Sequence, residues 1–171
     1  MSLCARDTLT GKLESLRSSR GALVNKDEIA LLEGRSFRAY REFAANVTLK
    51  AVFAKPFRLT QQSLWTGQGA ARVVISTGGT ESGTFTAIPT KFNKNTQTGG
   101  VGATTISAGG TVTGGTEREV LRSDSGTAGG GVGSPNLLDG DRMLAAGTYY
   151  MTITITGTTS GMYSLEWVEA P

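Results

Sequence analysis

The stretch Gly147-Thr-Tyr-Tyr-Met-Thr-Ile-Thr-Ile-Thr156, followed by Gly161-Met-Tyr-Ser-Leu-Glu-Trp-Val168, decides the fold class. In the first run Tyr149, Met151, Ile153 and Ile155 alternate with Thr152, Thr154 and Thr156. Side chains of a strand project to opposite faces with a period of two, so one face here is apolar and the other hydroxylated. That is the pattern of a half-buried antiparallel strand. In the second run Tyr163, Leu165 and Trp167 share a face in the same way. The Gly157–Gly161 turn between the runs predicts a hairpin with a four- or five-residue loop.

The same period extends towards the N-terminus. Phe37, Ala39, Arg41 and Phe43 form one mostly apolar set, and Val47, Leu49, Ala51 and Phe53 form a cleaner one. Pro56 interrupts, and Phe57-Arg-Leu-Thr60 opens a run that Trp65 closes before Gly67-Gln68-Gly69. Ala71, Val73 and Ile75 alternate up to Gly78-Gly79, and Gly83 to Pro89 reads as another extended segment. Residues 96–116 are rich in Gly and Thr. They predict a long loop or a protruding hairpin, with Ile106 and Val112 on short strands either side of Gly109-Gly110. Glu117 to Ser123 is a further strand candidate, and Gly126 to Ser134 a Gly-rich connection. Roughly eight to ten short strands with Gly-marked turns predict a mainly β fold. The expectation is an antiparallel β-sandwich or jelly-roll-like domain over residues 36–171.

Residues 1–35 read differently, as an N-terminal arm with a short helix. Leu9, Leu13 and Leu16 fall on one helical face, with Arg17 and Arg20 close by. A second helix is signalled by Asn25 as N-cap, Glu28 three residues on, and a Val24–Ile29 staple across the cap. Gly34 is placed to stop it. Such an arm packs on its own domain or docks on a neighbouring subunit. Leu13, Leu16, Arg17 and Arg20 are therefore candidate protein-interface residues, and Trp65, beside a Gly turn, is a fifth.

The composition bears on function. No His is present among the 171 residues, which removes the usual proton carrier and the commonest metal ligand. Cys4 is the single cysteine, so neither a disulfide nor a thiolate zinc site forms within one chain. Glu117/Glu119 and Asp139/Asp141 are the carboxylate pairs that a glycosidase would need. Aromatics make up only 7%, too few to expect a sugar-binding cleft, so the Glu pair reads as a solvated strand face and the Asp pair as a turn. Asp139-Gly140-Asp141 lacks the further ligands of a calcium loop. No glycine-rich segment stands between a strand and a helix as a phosphate loop does. Asn46-Val47-Thr48 matches a glycosylation triplet inside a strand.

The net charge of +3 lies wholly in residues 1–50, where nine basic face six acidic residues; this is too small and mixed an excess for nucleic acid. No apolar run reaches the ~20 residues of a membrane helix, and the opening residues lack the apolar core of a secretory signal. The expectation is a non-enzymatic protein made in the cytoplasm, with no cofactor, no metal, no nucleic acid and no membrane as partner.

The segment Phe53-Ala-Lys-Pro-Phe-Arg-Leu-Thr-Gln-Gln-Ser-Leu-Trp65, the segment Gly78-Gly-Thr-Glu-Ser-Gly-Thr-Phe-Thr-Ala-Ile-Pro89, and the ending Leu144-Ala-Ala-Gly-Thr-Tyr-Tyr150 through Leu165-Glu-Trp167 resemble small virion proteins of tailed bacteriophages. Capsid decoration, or cement, proteins are the nearest likeness, over about residues 50–168. The resemblance implies a jelly-roll-like homotrimer bound to the major capsid protein, stabilising the outer surface of the phage head. It carries over no individual binding residue. The alternative is a tail, head-fibre or receptor-binding component of the virion that contacts a host glycan.

Overall fold

The computed structural model describes residues 4–6, 13–15, 18–19, 22–23, 26–67, 69–88, 91–94, 102–123, 131–134, 143–157 and 160–171. Four short strands come first: β1 (Cys4–Arg6), β2 (Leu13–Ser15), β3 (Ser18–Ser19) and β4 (Ala22–Leu23). Antiparallel pairing joins β1 to β2 and β3 to β4. Leu13 thus lies on a strand opposite Arg6, not on the expected helical face. Leu9, Leu16, Arg17 and Arg20 lie outside the described residues.

The short helix α1 (Lys26–Leu32) follows where the capping pattern puts it. Its end is a Schellman turn: Gly34 N–H donates to Leu31 O at 3.0 Å and Arg35 N–H to Ala30 O at 2.9 Å, with Gly34 at a φ of 70°. Ala30 is buried, and α1 rests on strands of its own chain, those at 36–43 and 161–169.

The remaining strands are β5 (Ser36–Phe43), β6 (Val47–Phe53), β7 (Phe57–Thr66), β8 (Ala70–Thr77), β9 (Thr80–Ala87), β10 (Lys91–Asn93), β11 (Thr105–Thr113), β12 (Thr116–Ser123), β13 (Gly131–Ser134), β14 (Gly147–Thr156) and β15 (Gly161–Glu169). They build two antiparallel sheets. The five-stranded sheet has the order β10-β5-β15-β7-β13, and the six-stranded sheet β12-β8-β14-β6-β11-β9. Phe37, Leu64, Tyr163, Leu165 and Trp167 of the first sheet meet Leu49, Phe53, Val73, Met151 and Ile153 of the second in one buried cluster. The Trp167 ring is its centre, stacked on Phe37 at 5.7 Å and edge-on to Phe53 at 5.8 Å.

The two runs that announce the fold do not pair with each other. β14 pairs with β6 and β8, and β15 pairs with β5 and β7. The predicted hairpin is an arch: the chain leaves one sheet at Thr156 and enters the other at Gly161. Both apolar faces still reach the same core, from opposite sides. Alternation states which face is buried and leaves the partner open.

Two glycine-rich readings also change. Gly109-Gly110 lies inside the single strand β11 as a register shift, where a hairpin tip was expected. Gly131–Ser134 of the expected connection is strand β13 on the edge of β7.

β8 continues into β9, and β11 into β12, each through a two-glycine corner, Gly78-Gly79 and Gly114-Gly115. β8 pairs with β12, and β9 with β11. The four strands are therefore one long ribbon folded at its middle. Thr77 pairs with Thr116 and Thr80 with Thr113. Three peptide steps reach about 10 Å at most, so the fold in the ribbon is sharp. One half of the ribbon lies beside β14 and the other beside β6. To connect them, the ribbon crosses the outer face of β14 and β6. All four corner glycines have positive φ, between 71° and 101°. A Cβ on Gly79 would meet Thr113 O at 2.9 Å and one on Gly115 would meet Gly78 O at 2.8 Å, so only glycine fits these two positions.

Candidate interaction surface

The outer face of the five-stranded sheet is built from the strand positions that alternate with the core. On β7 these include Gln61, Ser63 and Trp65; on β15, Met162, Ser164 and Glu166; on β5, Arg38, Tyr40 and Glu42. Register places Trp65 opposite Met162, and Met162 opposite Glu42. In the next row Ser63 and Ser164 share a hydroxyl hydrogen bond at 2.6 Å, with Tyr40 opposite Ser164. The row beyond is charged: Lys94 Nζ donates to Glu166 at 2.6 Å, opposite Arg38. Trp65 is 44% exposed, whereas Trp167, in the neighbouring strand, is fully buried. A sheet face that shows an indole beside a methionine, bordered by hydroxyls and charges, has the anatomy of a protein contact: an apolar anchor and a polar rim.

Between the sheets a pocket of about 260 Å³, partly open to solvent, is lined by residues that include Phe53, Phe57, Met151, Leu165, Gln62 and Glu119. Tyr163 donates its hydroxyl to Gln62 Oε1 at 2.6 Å, and Gln62 Nε2 donates to Glu119 Oε2 at 3.1 Å. Burial first, and then the nearby Glu119 charge, push the Tyr163 phenol well above its usual range. This chain of polar groups links β15, β7 and β12 through the middle of the sandwich. Sequence reading missed it, because Gln62 carries no periodic signal and Glu119 read as a surface residue.

The candidate carboxylate pair is divided. A register shift between Glu117 and Glu119 places Glu117 opposite Ser76 and Glu119 opposite Ile75. Glu117 is on the solvent side, 3.5 Å from Arg72, while Glu119 turns towards Gln62 between the sheets. A bulge re-aims side chains in this way, and the two carboxylates do not share a face. Asp139 and Asp141 lie outside the described residues. Among the described residues no group of three or more His, Cys, Asp or Glu stands close enough to hold a metal ion. The Asn46 amide of the glycosylation triplet accepts from Ile155 N–H at 2.9 Å, and Thr48 is buried.

Of the five candidate interface residues, Trp65 stands on an exposed sheet face, and Leu13 lies on β2, outside that sheet. Leu16, Arg17 and Arg20 fall outside the described residues. No protein-family model matches the chain, and no curated protein or solved structure shows significant similarity to it.

Proposed function

We propose that this chain is a non-catalytic structural protein of a virion, a capsid decoration or cement protein whose β domain binds and stabilises the outer surface of a phage head. The observation that carries this reading is the 44% exposed Trp65 on the outer face of a rigid sheet. A tryptophan left in water on a strand is an unfavourable use of its apolar area unless a partner covers it. The likeness of residues 50–168 to phage decoration proteins supplies the partner, the major capsid protein. A jelly-roll-like homotrimer suits the role. A shell repeats one docking site many times, and three linked copies multiply a modest affinity per site.

The test is to strip the protein from purified particles and to add it back. Particles without it lose heat or osmotic resistance, and the wild-type chain restores this where Trp65→Ala does not. Unchanged resistance of stripped particles would sink the cement role. The second reading is a tail, head-fibre or receptor-binding component. Its support is the same indole flanked by Gln61 and Ser63, since an aromatic ring beside hydrogen-bonding groups also suits a glycan. Copy number separates the two: hundreds per particle favours the head, and on the order of ten favours the tail.

A further inference from the structure

Thr105–Ala108 of β11 pair with β6 and bury Ile106 and Ala108 in the core, but the part of the half-ribbon between its glycines, Thr80–Ser82 of β9 against Thr111–Thr113 of β11, crosses the sheet on very few contacts. Thr80 to Thr84 on one strand, and Thr111 and Thr113 on the other, are exposed. What touches the sheet below is Glu81 and Phe85. Glu81 accepts from Lys50 Nζ at 2.9 Å and from the Tyr150 hydroxyl at 2.5 Å. Phe85 lies 5.5 Å under the same ammonium and 6.4 Å from the Tyr150 ring. Lys50 and Tyr150 are directly opposite each other on β6 and β14. Tyr150 is only 4% exposed, yet it is not part of the core cluster, because its burial comes from the crossing ribbon. At either end of the crossing stand glycines with positive φ: Gly78, Gly79, Gly114 and Gly115 at one, and Gly83, Gly109 and Gly110 at the other.

We infer that this half-ribbon is a hinged strap, latched to the sheet by the Glu81 carboxylate, and that losing the carboxylate's charge lifts the strap while the sandwich stays folded. The physical basis is the uneven distribution of stability. Regions with few buried apolar contacts open locally, at a fraction of the global unfolding free energy. Between its glycines the strap carries one large apolar side chain, the half-buried Val112, so a charge-assisted hydrogen-bond pair is a large share of what holds it. Glycine corners lower the resistance to rotation at both ends.

The groups facing the latch are few. Glu81 is the only titratable residue on β9 or β11. Below it are Lys50 from β6 and Tyr150 from β14; beside them on the same face, β8 and β12 supply Arg72 and Glu117. The hydrogen bond from Lys50 first, and that from Tyr150 next, hold the Glu81 carboxyl below its usual range despite a small opposing effect of burial. Its stabilisation is thus present above the ordinary carboxylate range and is lost as pH falls below it. Tyr150 stays neutral across this range, since desolvation and Glu81 raise its phenol to about 12.

Hydroxyl-radical footprinting tests the latch on the full chain, with two tyrosines as reporters. Tyr150 lies beneath the strap, while Tyr163 lies in the core and reports unfolding. In Glu81→Ala, Tyr150 is expected to be modified roughly tenfold faster than in the wild type, as expected for losing a hydrogen bond to a charged group, with Tyr163 unchanged. Wild-type protein taken to acid below the ordinary carboxylate range should show the same split, and the variant should show no further change. Lys50→Gln provides an independent break of the same latch. Tyr150 remaining protected in both variants would overturn the inference, and so would Tyr163 becoming reactive in step with Tyr150.

Discussion

Thr66 and Ser123 touch across the two sheets through their buried hydroxyls. Their hydroxyl oxygens lie 2.9 Å apart, and neither residue is exposed at all. Thr66 ends β7 and Ser123 ends β12, so the contact closes one end of the sandwich. A polar pair in this setting stabilises only while both partners are present.

Thr66→Val keeps the shape and removes one hydroxyl. It should lower unfolding stability by about 1–3 kcal/mol, because the Ser123 hydroxyl loses this buried partner. Adding Ser123→Ala should recover part of the loss, with a coupling of about 1 kcal/mol in a double-mutant cycle. Denaturant unfolding of the four proteins checks this; strictly additive losses would contradict it.

The two tryptophans should separate stability from binding. Trp167→Ala opens the centre of the core and should destabilise by about 3–5 kcal/mol. Trp65→Ala should leave the melting temperature nearly unchanged and weaken attachment to particles. Thermal melts and cosedimentation with stripped particles, measured on the same preparations, compare them.

Glu169 makes acid sensitivity local. Its buried carboxylate accepts from Ala103 N–H at 3.0 Å, Thr104 N–H at 3.1 Å and the Thr104 hydroxyl at 2.6 Å, tying the last strand to the entrance of β11. Burial pushes its pKa up, but the hydrogen bonds from Thr104, Ala103 and Trp167 outweigh that and hold it below the usual carboxylate range. A group depressed in this way stabilises the fold above the ordinary range and loses its contribution as pH falls through the folded-state value. Glu169→Gln should therefore be less stable at neutral pH and show a flatter acid limb. Unfolding midpoints followed from neutral to acid pH read both effects.

The ribbon corner offers a graded test of backbone strain. Gly78 has a φ of 71° with open space around its Cα, so Gly78→Ala should carry only the left-handed penalty, about 1–2 kcal/mol. Gly79, at a φ of 101°, would also press its new Cβ to 2.9 Å from Thr113 O, so Gly79→Ala should be clearly worse. Equal melting temperatures for the two variants would argue against the sharp corner.

Much of the fold is legible in single residues of the sequence. The alternation at Tyr149, Met151, Ile153 and at Tyr163, Leu165, Trp167 fixes the strand state and the buried face, because period two is a property of one chain segment. The capping pattern at 25–34 places a helix end, since its signals are separated by a few residues. Pairing is a different matter. That β14 arches to the other sheet, that Gly109-Gly110 bends a strand, and that a bulge turns Glu119 away from Glu117 all depend on contacts tens of residues apart. Leu13 shows the same limit from the other side, for a helical spacing of leucines gives way to pairing with Arg6. The exposed Trp65 was a candidate from its Gly-turn context, but its neighbours Met162, Ser164 and Tyr40 come together only through strand order. The sequence alone determined the repeat along each strand and therefore which faces shun water. The tertiary structure decided which strands meet, because burying the same apolar face is equally favourable against several partners until the chain's corners and registers choose among them.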